Sequence, residues 1–173
     1  MKKNTLKMTR IALLTCIVFV CAQITIPLGG VPMTLQTFAI ALCGNLLGVR
    51  QGLLTIAVYL TLGAIGIPVF AGFGGSIGFF GGPTGGFLLG FLPFVAFCGV
   101  KTSSKRKYFY DFLGLLCCHI MGILWFAYVS RISLMSAFLW ISLPYLIKDI
   151  LSVIFARFLT LKMHQRCPRL FLF

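Results

Sequence analysis

Negative charge is scarce in this sequence. Only two of its 173 residues are acidic, Asp111 and Asp149, and charged residues of both signs make up 10% of the chain. A soluble domain carries roughly 25% charged residues, which form its surface. Because the mean hydropathy is +1.05 and long apolar runs recur, we expect residues 1–173 to form one membrane-embedded domain.

Motifs of catalysis and of nucleotide or metal binding are also missing. The glycine-rich run 72–86 lacks the Gly-Lys-Ser/Thr of a phosphate-binding loop, and there is no HExxH, no Ser/His/Asp set and no pair of carboxylates at catalytic spacing. The seven cysteines form no CxxC motif on which a metal site would be built. We therefore expect no enzyme, no metal and no cofactor. Any ATP-driven step would need a motor on another protein.

Positive charge is plentiful but lies in short clusters between the apolar runs, unlike a folded basic face for nucleic acid. The runs predict six spanning helices, over residues 9–26, 35–49, 52–70, 84–100, 108–130 and 136–158. Six crossings put 13 of the 15 Lys and Arg on the side of the termini, and only Arg131 on the other side. The excess places both termini in the cytoplasm of a multi-pass protein of the cell (inner) membrane.

Two charges lie inside the sixth predicted helix, at Lys148 and Asp149. A charge at membrane depth costs about 2.5–3.5 kcal/mol, so a functional role is the first hypothesis. Since sequence neighbours lie about 100° apart on a helix, we expect no direct ion pair between Lys148 and Asp149. A ligand with acidic and N–H groups would provide a partner for each of the two charges. Interhelical contacts, or a Lys148 that reaches outward, are the alternatives. We interpret His119 as a packed or hydrogen-bonded helix residue, and Asp111 near Lys107 as facing water.

Two uncharged Pro/Gly-rich segments, residues 27–38 and 66–87, are predicted on the outer side, where such loops suit capture of a small molecule. The Gln36 amide offers a donor and an acceptor to a polar ligand, next to Thr34, for which helix capping is the alternative. Tyr59 lies in the middle of the third predicted helix. Aromatic side chains are available to wall an apolar pocket, with ordinary packing as the alternative: Phe70, Phe73, Phe79, Phe80, Phe87 and Tyr145.

Small residues recur at four-residue spacing, which lets membrane helices approach closely. Gly44, Gly48 and Gly52 form one such series, and Gly86–Gly90 forms another. Both are most simply read as packing within the chain. Ala12–Cys16 on the first helix is a third pair, for which a docking face for another protein is a rival interpretation.

Three motifs in order carry a family resemblance. They are IPLGGVPMTLQTF at residues 26–38, GAIGIPVF at 63–70 and GGPTGGFLLGF at 81–91, followed by Pro144, Tyr145 and Asp149. With them the chain resembles the BioY family, the biotin-specific substrate-binding S components of energy-coupling-factor (ECF) transporters. The match is dense from about residue 12 to residue 90, whereas residues 100–140 match in hydropathy only.

The resemblance implies an all-α integral membrane protein with the six-transmembrane-helix S-component fold and cytoplasmic termini. It implies biotin uptake, with one biotin held near the outer side and delivered inward. Its implied partners are biotin, a transmembrane coupling subunit that docks at Ala12 and Cys16, two ATPase subunits and membrane lipid; a homo-oligomer is left open. The implied biotin-binding residues are Gln36, Thr34, Tyr59, Phe70, Phe87, Tyr145, Lys148, Asp149 and Ser152.

Biotin suits these groups chemically. Its ureido N–H groups can donate to Asp149, and its ureido carbonyl can accept from the Gln36 amide. Its carboxylate requires a cation or backbone N–H groups as partners. Members of the family often carry a lysine three residues after this aspartate. That position is Ser152 here, and Lys148 lies one turn before it on the same face. The usual Tyr after the GPTGG motif is Phe87.

Other readings remain open on sequence alone. The nearest rival is an S component for another vitamin, against which the IPLGGVP and GPTGG runs argue. A solitary biotin transporter without a dedicated ATPase module is another. A membrane enzyme would lack a catalytic set, and a structural or channel-forming protein would leave Lys148, Asp149 and Gln36 without a purpose.

Overall fold

The structure is a computed structural model that describes residues 2–26 and 31–166, so residues 27–30 of the first Pro/Gly segment lie outside the described residues. It is almost entirely helical. The helices are α1 (Lys2–Gln23), α2 (Gln36–Ala64), α3 (Gly78–Gly81), α4 (Gly85–Cys98), α5 (Ser104–Ser130), α6 (Leu134–Ala137) and α7 (Leu143–Arg166). Two short antiparallel strands, β1 (Thr25–Ile26) and β2 (Met33–Thr34), pair between α1 and α2.

Helix α2 folds back on itself at Gly48, where φ is 76° and ψ is 177°, a conformation that suits glycine. The Gln36 and Tyr59 side chains are therefore 2.7 Å apart, although 23 residues of straight helix would separate them by about 35 Å. Gly44 and Gly52 let the two arms touch, since a Cβ on Gly52 would lie 3.5 Å from the Gly44 Cα. Of the three evenly spaced glycines, Gly48 therefore forms the turn, whereas Gly44 and Gly52 allow the two arms to pack.

Two predicted helices are too long at their outer ends. The first ends at Gln23, because Thr25 and Ile26 pair with β2 instead. The third ends at Ala64 rather than at residue 70, and the loop that follows carries Val69 and Phe70 into the core. Both segments are apolar, which predicts helix, yet Ile26 lies exposed in a strand whereas Val69 and Phe70 are buried in the core.

The chain from Leu134 to Arg166 is one continuous helical segment made of α6, a π turn over Phe138–Ser142, and α7. The N–H of Leu143 donates to the carbonyl of Phe138, five residues back. Pro144 follows at once and has no N–H for the carbonyl four residues before it. The widened turn accommodates the proline and sets the rotation of Ser142 relative to α7.

Among the described residues, four helices are long and apolar enough to cross a membrane: Asn4–Gln23, Gln36–Ala64, Arg106–Ser130 and Leu134–Arg166. Gly85–Cys98 is a shorter apolar helix. Their outward faces carry large exposed apolar side chains such as Leu13, Leu116 and Trp140, a surface suited to lipid. Inside, α4 packs closely on α5, because Gly86 and Gly90 leave room for Trp125 and Cys118.

Candidate ligand-binding site

A cavity of about 550 Å³ lies between the segment before α2, the loop before α4, and α7. Its size falls within the ordinary range of small-molecule sites. Its walls are mostly apolar, with polar groups from α2, from α7 and from the segments before α2 and α4. The lining residues are Val31, Pro32, Thr34, Gln36, Thr37, Phe70, Ala71, Ser76, Gly78, Phe79, Gly82, Pro83, Thr84, Phe87, Leu88, Phe91, Tyr145, Lys148 and Asp149.

The apolar wall is built around Phe70, which is almost completely buried. Its ring packs edge-on against Tyr59 with centroids 5.6 Å apart, and lies 5.5 Å from the Phe79 ring. Gly63 makes this possible, since a Cβ there would meet the Phe70 ring at 2.1 Å. The flat aromatic surface suits a small apolar ring system.

Two side chains that sequence reasoning did not single out hold the loop. The Gln23 amide at the end of α1 donates to the carbonyls of Val69 (3.3 Å) and Phe70 (3.1 Å) and accepts from the N–H of Phe73 at 2.8 Å. The Trp125 indole on α5 donates to the carbonyl of Gly82 at 2.9 Å. Polar side chains on otherwise apolar helices were the available signal, but loop partners far away in sequence carry none.

Lys148 and Asp149 form an ion pair beside the cavity, so the expectation that these neighbours do not pair is wrong. The long lysine side chain bends back over its neighbour, which helical angles between Cβ atoms do not forbid. The ammonium also donates to the backbone carbonyl of Thr34 at 2.7 Å and reaches the Thr37 hydroxyl at 3.5 Å. These bonds join α7 to the start of α2.

Asp149 has a second partner that the sequence reading missed. Its Oδ2 lies 3.1 Å from His119 Nε2, and His119 Nδ1 lies 2.9 Å from the Ser142 hydroxyl. The expectation that the chain holds no Ser/His/Asp set is therefore wrong, because three residues far apart in sequence are neighbours in the structure. Ser142 is 1% exposed and lies outside the cavity lining, so it cannot meet a substrate as a nucleophile. The set is a structural chain of hydrogen bonds that ends on the cavity-lining carboxylate.

Gln36 is held by two neighbours. The Thr34 hydroxyl donates to Gln36 Oε1 at 2.8 Å, and Gln36 Nε2 donates to the Tyr59 hydroxyl at 2.7 Å. Tyr59 in turn donates to the carbonyl of Val69 at 3.0 Å. Tyr59 is completely buried and lies behind Gln36 rather than in the cavity lining, where its hydroxyl supports the Gln36 amide; its predicted direct contact with a ligand stays a prediction.

The remaining predicted site residues separate into two groups. Tyr145 lines the cavity, and its hydroxyl donates to the carbonyl of Val31. Phe87 also lines it, with its ring over Gly122, where a Cβ would lie 2.4 Å from the ring. Ser152 does not line it. It lies in a neighbouring lateral groove between α2 and α7, with Lys148 as the shared wall, because one further turn of α7 carries residue 152 past the cavity.

Three other residues complete the outcome. Ala12 and Cys16 are exposed on α1, away from the cavity. Asp111 does not face water as expected, because it is completely buried and forms an ion pair with Lys107 one turn earlier.

Comparison with known proteins shows the family of the chain. The sequence model of the BioY family matches residues 1–169. A probable biotin transporter BioY of Pyrococcus horikoshii is 40% identical over 140 residues, which cover 81% of this chain and 85% of that protein. Biotin transporter BioY2 of Lactococcus lactis is 37% identical over 130 residues, which cover 72% of this chain and 71% of that protein.

A solved structure has the same fold. The crystal structure of the S-component for biotin from an ECF-type ABC transporter matches with a TM-score of 0.77 and 27% identity, covering 91% of this chain and 92% of that one. The resemblance carried by the three sequence motifs is thereby confirmed. The chain belongs to the BioY family.

Proposed function

We propose that this chain is a biotin-binding S component, which takes biotin into the cavity from the outer side of the membrane and hands it inward. The observation that carries the proposal is the Lys148–Asp149 ion pair on the wall of a mostly apolar cavity. Family membership supports it, and a transporter subunit rather than an enzyme agrees with a buried Ser142 that meets no substrate.

The chemistry of the pair fits a ureido group. A carboxylate accepts from N–H groups and an ammonium donates to a carbonyl, so the adjacent Asp149 and Lys148 match the adjacent N–H and C=O of a cyclic urea. In the structure the two charges satisfy each other. We infer that the ureido group inserts between them, and that the Ser76 and Thr84 hydroxyls on the cavity wall remain for the carboxylate of biotin.

The roles of the other lining residues follow from their position. Phe70 and Phe87 wall the fused rings, and Tyr145 ties α7 to the segment that enters α2. Gln36, held by Thr34 and by Tyr59 behind it, presents its amide to the ligand. Ser152 lies outside this cavity and is not assigned a ligand contact.

Ligand identity is tested by binding of radiolabelled biotin to the purified chain, with unlabelled biotin and unrelated vitamins as competitors. We expect saturable binding that only biotin and its close ureido analogues displace. Displacement by another vitamin at lower concentration would assign the chain to that vitamin. No binding of any label would overturn the proposal.

We propose six membrane crossings with both termini in the cytoplasm. The six segments are α1, the two arms of α2, α4, α5 and the continuous segment 134–166. The turn at Gly48, which reverses the chain within α2, supports this count, and so does the excess of Lys and Arg on one side. A fluorescent-protein fusion at the C-terminus, which folds only in the cytoplasm, should be bright; a dark fusion would reverse the topology.

We further propose that the transmembrane coupling subunit docks on α1 at Ala12 and Cys16 and that two ATPase subunits supply the energy. Both residues are exposed and small, so another helix can approach closely there. Ala12→Leu and Cys16→Leu should leave biotin binding unchanged and reduce uptake in cells by about tenfold or more, since one bulky side chain blocks a close helix contact.

Uptake of labelled biotin by cells that express each variant measures this effect. Thr61→Leu, also exposed on a helix, is the matched control and should transport normally. Normal uptake in both α1 variants would place the docking face elsewhere. Uptake into vesicles that contain this chain alone would instead identify a solitary transporter.

A further inference from the structure

Three buried side chains form a chain of hydrogen bonds that ends on Asp149. Ser142, in the π turn, lies 2.9 Å from His119 Nδ1, and His119 Nε2 lies 3.1 Å from Asp149 Oδ2. All three are at least nine-tenths buried. Burial of polar groups destabilises the folded protein unless each group has a hydrogen-bond partner. The contacts therefore hold one defined arrangement.

The partners define which atoms carry protons. An ionised Asp149 carboxylate only accepts hydrogen bonds, so Nε2 of His119 must donate to it. In a neutral imidazole the other nitrogen, Nδ1, is then an acceptor, and the Ser142 hydroxyl donates to it. Asp149 thus selects the tautomer that carries the proton on Nε2, and Ser142 stabilises that tautomer by donating to Nδ1. The π turn matters here because it sets the rotation of Ser142 at the end of the turn.

The hydrogen bonds that run from Ser142 through His119 occupy one carboxylate oxygen of Asp149 and leave the other oxygen on the cavity side. Oδ2 is occupied by His119, while Oδ1 faces the Lys148 ammonium. The Thr37 side chain also contributes a hydrogen bond to the carboxylate. Rotation of the carboxylate would break the hydrogen bond between Oδ2 and His119, so this bond favours one direction for Oδ1. This is the preorganisation that a directional N–H donor of a ligand needs.

His119 itself does not line the cavity. The Phe87 ring lies between His119 and the cavity and packs edge-on against the imidazole, with ring centroids 6.0 Å apart. Any influence of His119 on a ligand must therefore pass through Asp149 or through the packing of Phe87. These two routes differ in one respect. A glutamine at 119 keeps an N–H donor near the place of Nε2, whereas a leucine keeps bulk alone.

We propose that His119, held in its tautomer by Ser142, is a positioning residue that orients Asp149 toward the N–H donors of the ligand. The inference rests on the proposed function, in which those donors belong to the ureido group of biotin. It adds two residues on α5 and the π turn to the determinants of affinity.

The test measures the dissociation constant for biotin by calorimetry on the full chain in detergent. His119→Leu should raise the constant by about tenfold or more, because a hydrogen bond to a charged group is lost. His119→Gln should stay within about threefold of wild type. Ser142→Ala should raise the constant by about twofold to fivefold. His164→Leu, at an exposed histidine of α7, is the control and should bind as wild type does.

The double variant His119→Leu/Ser142→Ala completes a cycle, since contacting residues in one network are not additive. If Ser142 acts only through His119, the double variant binds no more weakly than His119→Leu. An additional loss of the full Ser142→Ala factor would overturn the chain of action. Equal weakening by Gln and Leu at 119 would overturn it too, because only packing would then matter.

The same data separate this inference from the proposed function. Absence of biotin binding to wild type would overturn the proposed function. Tight binding to wild type with unchanged binding in His119→Leu would overturn the positioning role alone. If His119→Leu does not fold, Ser142→Ala decides the question: an unchanged dissociation constant contradicts the role, and the expected rise supports it.

Discussion

The two acidic residues of this chain are both buried and both paired with lysine, yet only one lies at the cavity. Asp111 pairs with Lys107 one turn earlier on α5. Asp149 pairs with its neighbour Lys148 on α7 and also contacts His119 on α5. Asp149 and Lys148 line the cavity, whereas Asp111 and Lys107 do not.

The difference shows what makes a buried charge available to a ligand. Residues one turn apart share a helix face, so Lys107 and Asp111 pair within α5, and Asp111 also interacts with Cys98 on α4 and Arg157 on α7, all away from the cavity. Lys148 instead spans from α7 to the carbonyl of Thr34, and its side chain is 25% exposed. A pair that faces a cavity can exchange partners with a ligand. Burial of a charge alone therefore does not identify a site in a membrane helix.

The largest effect is expected at the closed pair, on stability. Lys107→Met removes the lysine that pairs with the completely buried Asp111, and breaking a buried pair costs about 3–5 kcal/mol. The melting temperature of the detergent-solubilised chain should fall strongly, while the biotin dissociation constant of the folded fraction stays that of wild type. Lys162→Met, at an exposed position of α7, is the control. A large loss of affinity in Lys107→Met would erase the distinction between the two pairs.

At the cavity pair the main effect should appear in binding. Lys148→Met removes the ammonium that we assign to the ureido carbonyl, and we expect the biotin dissociation constant to rise by about tenfold, or about 1.4 kcal/mol. Calorimetry checks the constant, and the same Lys162→Met variant serves as control. Unchanged affinity would show that Lys148 only joins α7 to α2 through Thr34.

A smaller effect is expected one layer behind the cavity. Tyr59→Phe removes the donor to Val69 and the acceptor for Gln36. Each such hydrogen bond contributes about 0.5–1.5 kcal/mol, so binding should weaken by roughly threefold to tenfold. Equilibrium binding of labelled biotin measures it, with Tyr128→Phe, exposed on α5, as the matched control. Complete loss of binding would place Tyr59 in direct contact with the ligand after all.

The smallest effect is expected at Ser152. Because this residue lies in the lateral groove, Ser152→Ala should change the dissociation constant by less than about twofold. The measurement is the same titration beside wild type. A tenfold loss would mean that the ligand extends past Lys148 into the groove.

Much of the fold could be predicted from apolar length alone. The predicted boundary between residues 49 and 52 lies close to the observed reversal at Gly48, because the apolar run from residue 35 to residue 70 is too long for one crossing. The outer ends could not be predicted. Val69 and Phe70 are as apolar as a membrane helix, and only the tertiary structure shows that they pack under a loop.

Site residues could be predicted where a charged side chain is unusual in a membrane helix. They could not be predicted where their role depends on contacts between separate helices. Lys148 and Asp149 stood out as charges at membrane depth. His119 and Ser142 did not, since single polar residues on separate helices give no sign that they meet. Asp111 was misjudged although Lys107 lies one turn before it, a spacing that predicts a pair.

The central claim, that Asp149 binds the ligand and Asp111 does not, is tested most directly by titrating biotin into Asp149→Asn and Asp111→Asn beside wild type in one calorimeter. We expect a saturable heat with wild type, at least a tenfold weaker constant with Asp149→Asn, and wild-type affinity in the folded fraction of Asp111→Asn. Equal affinities for wild type and Asp149→Asn, or no heat with wild type, would contradict the account.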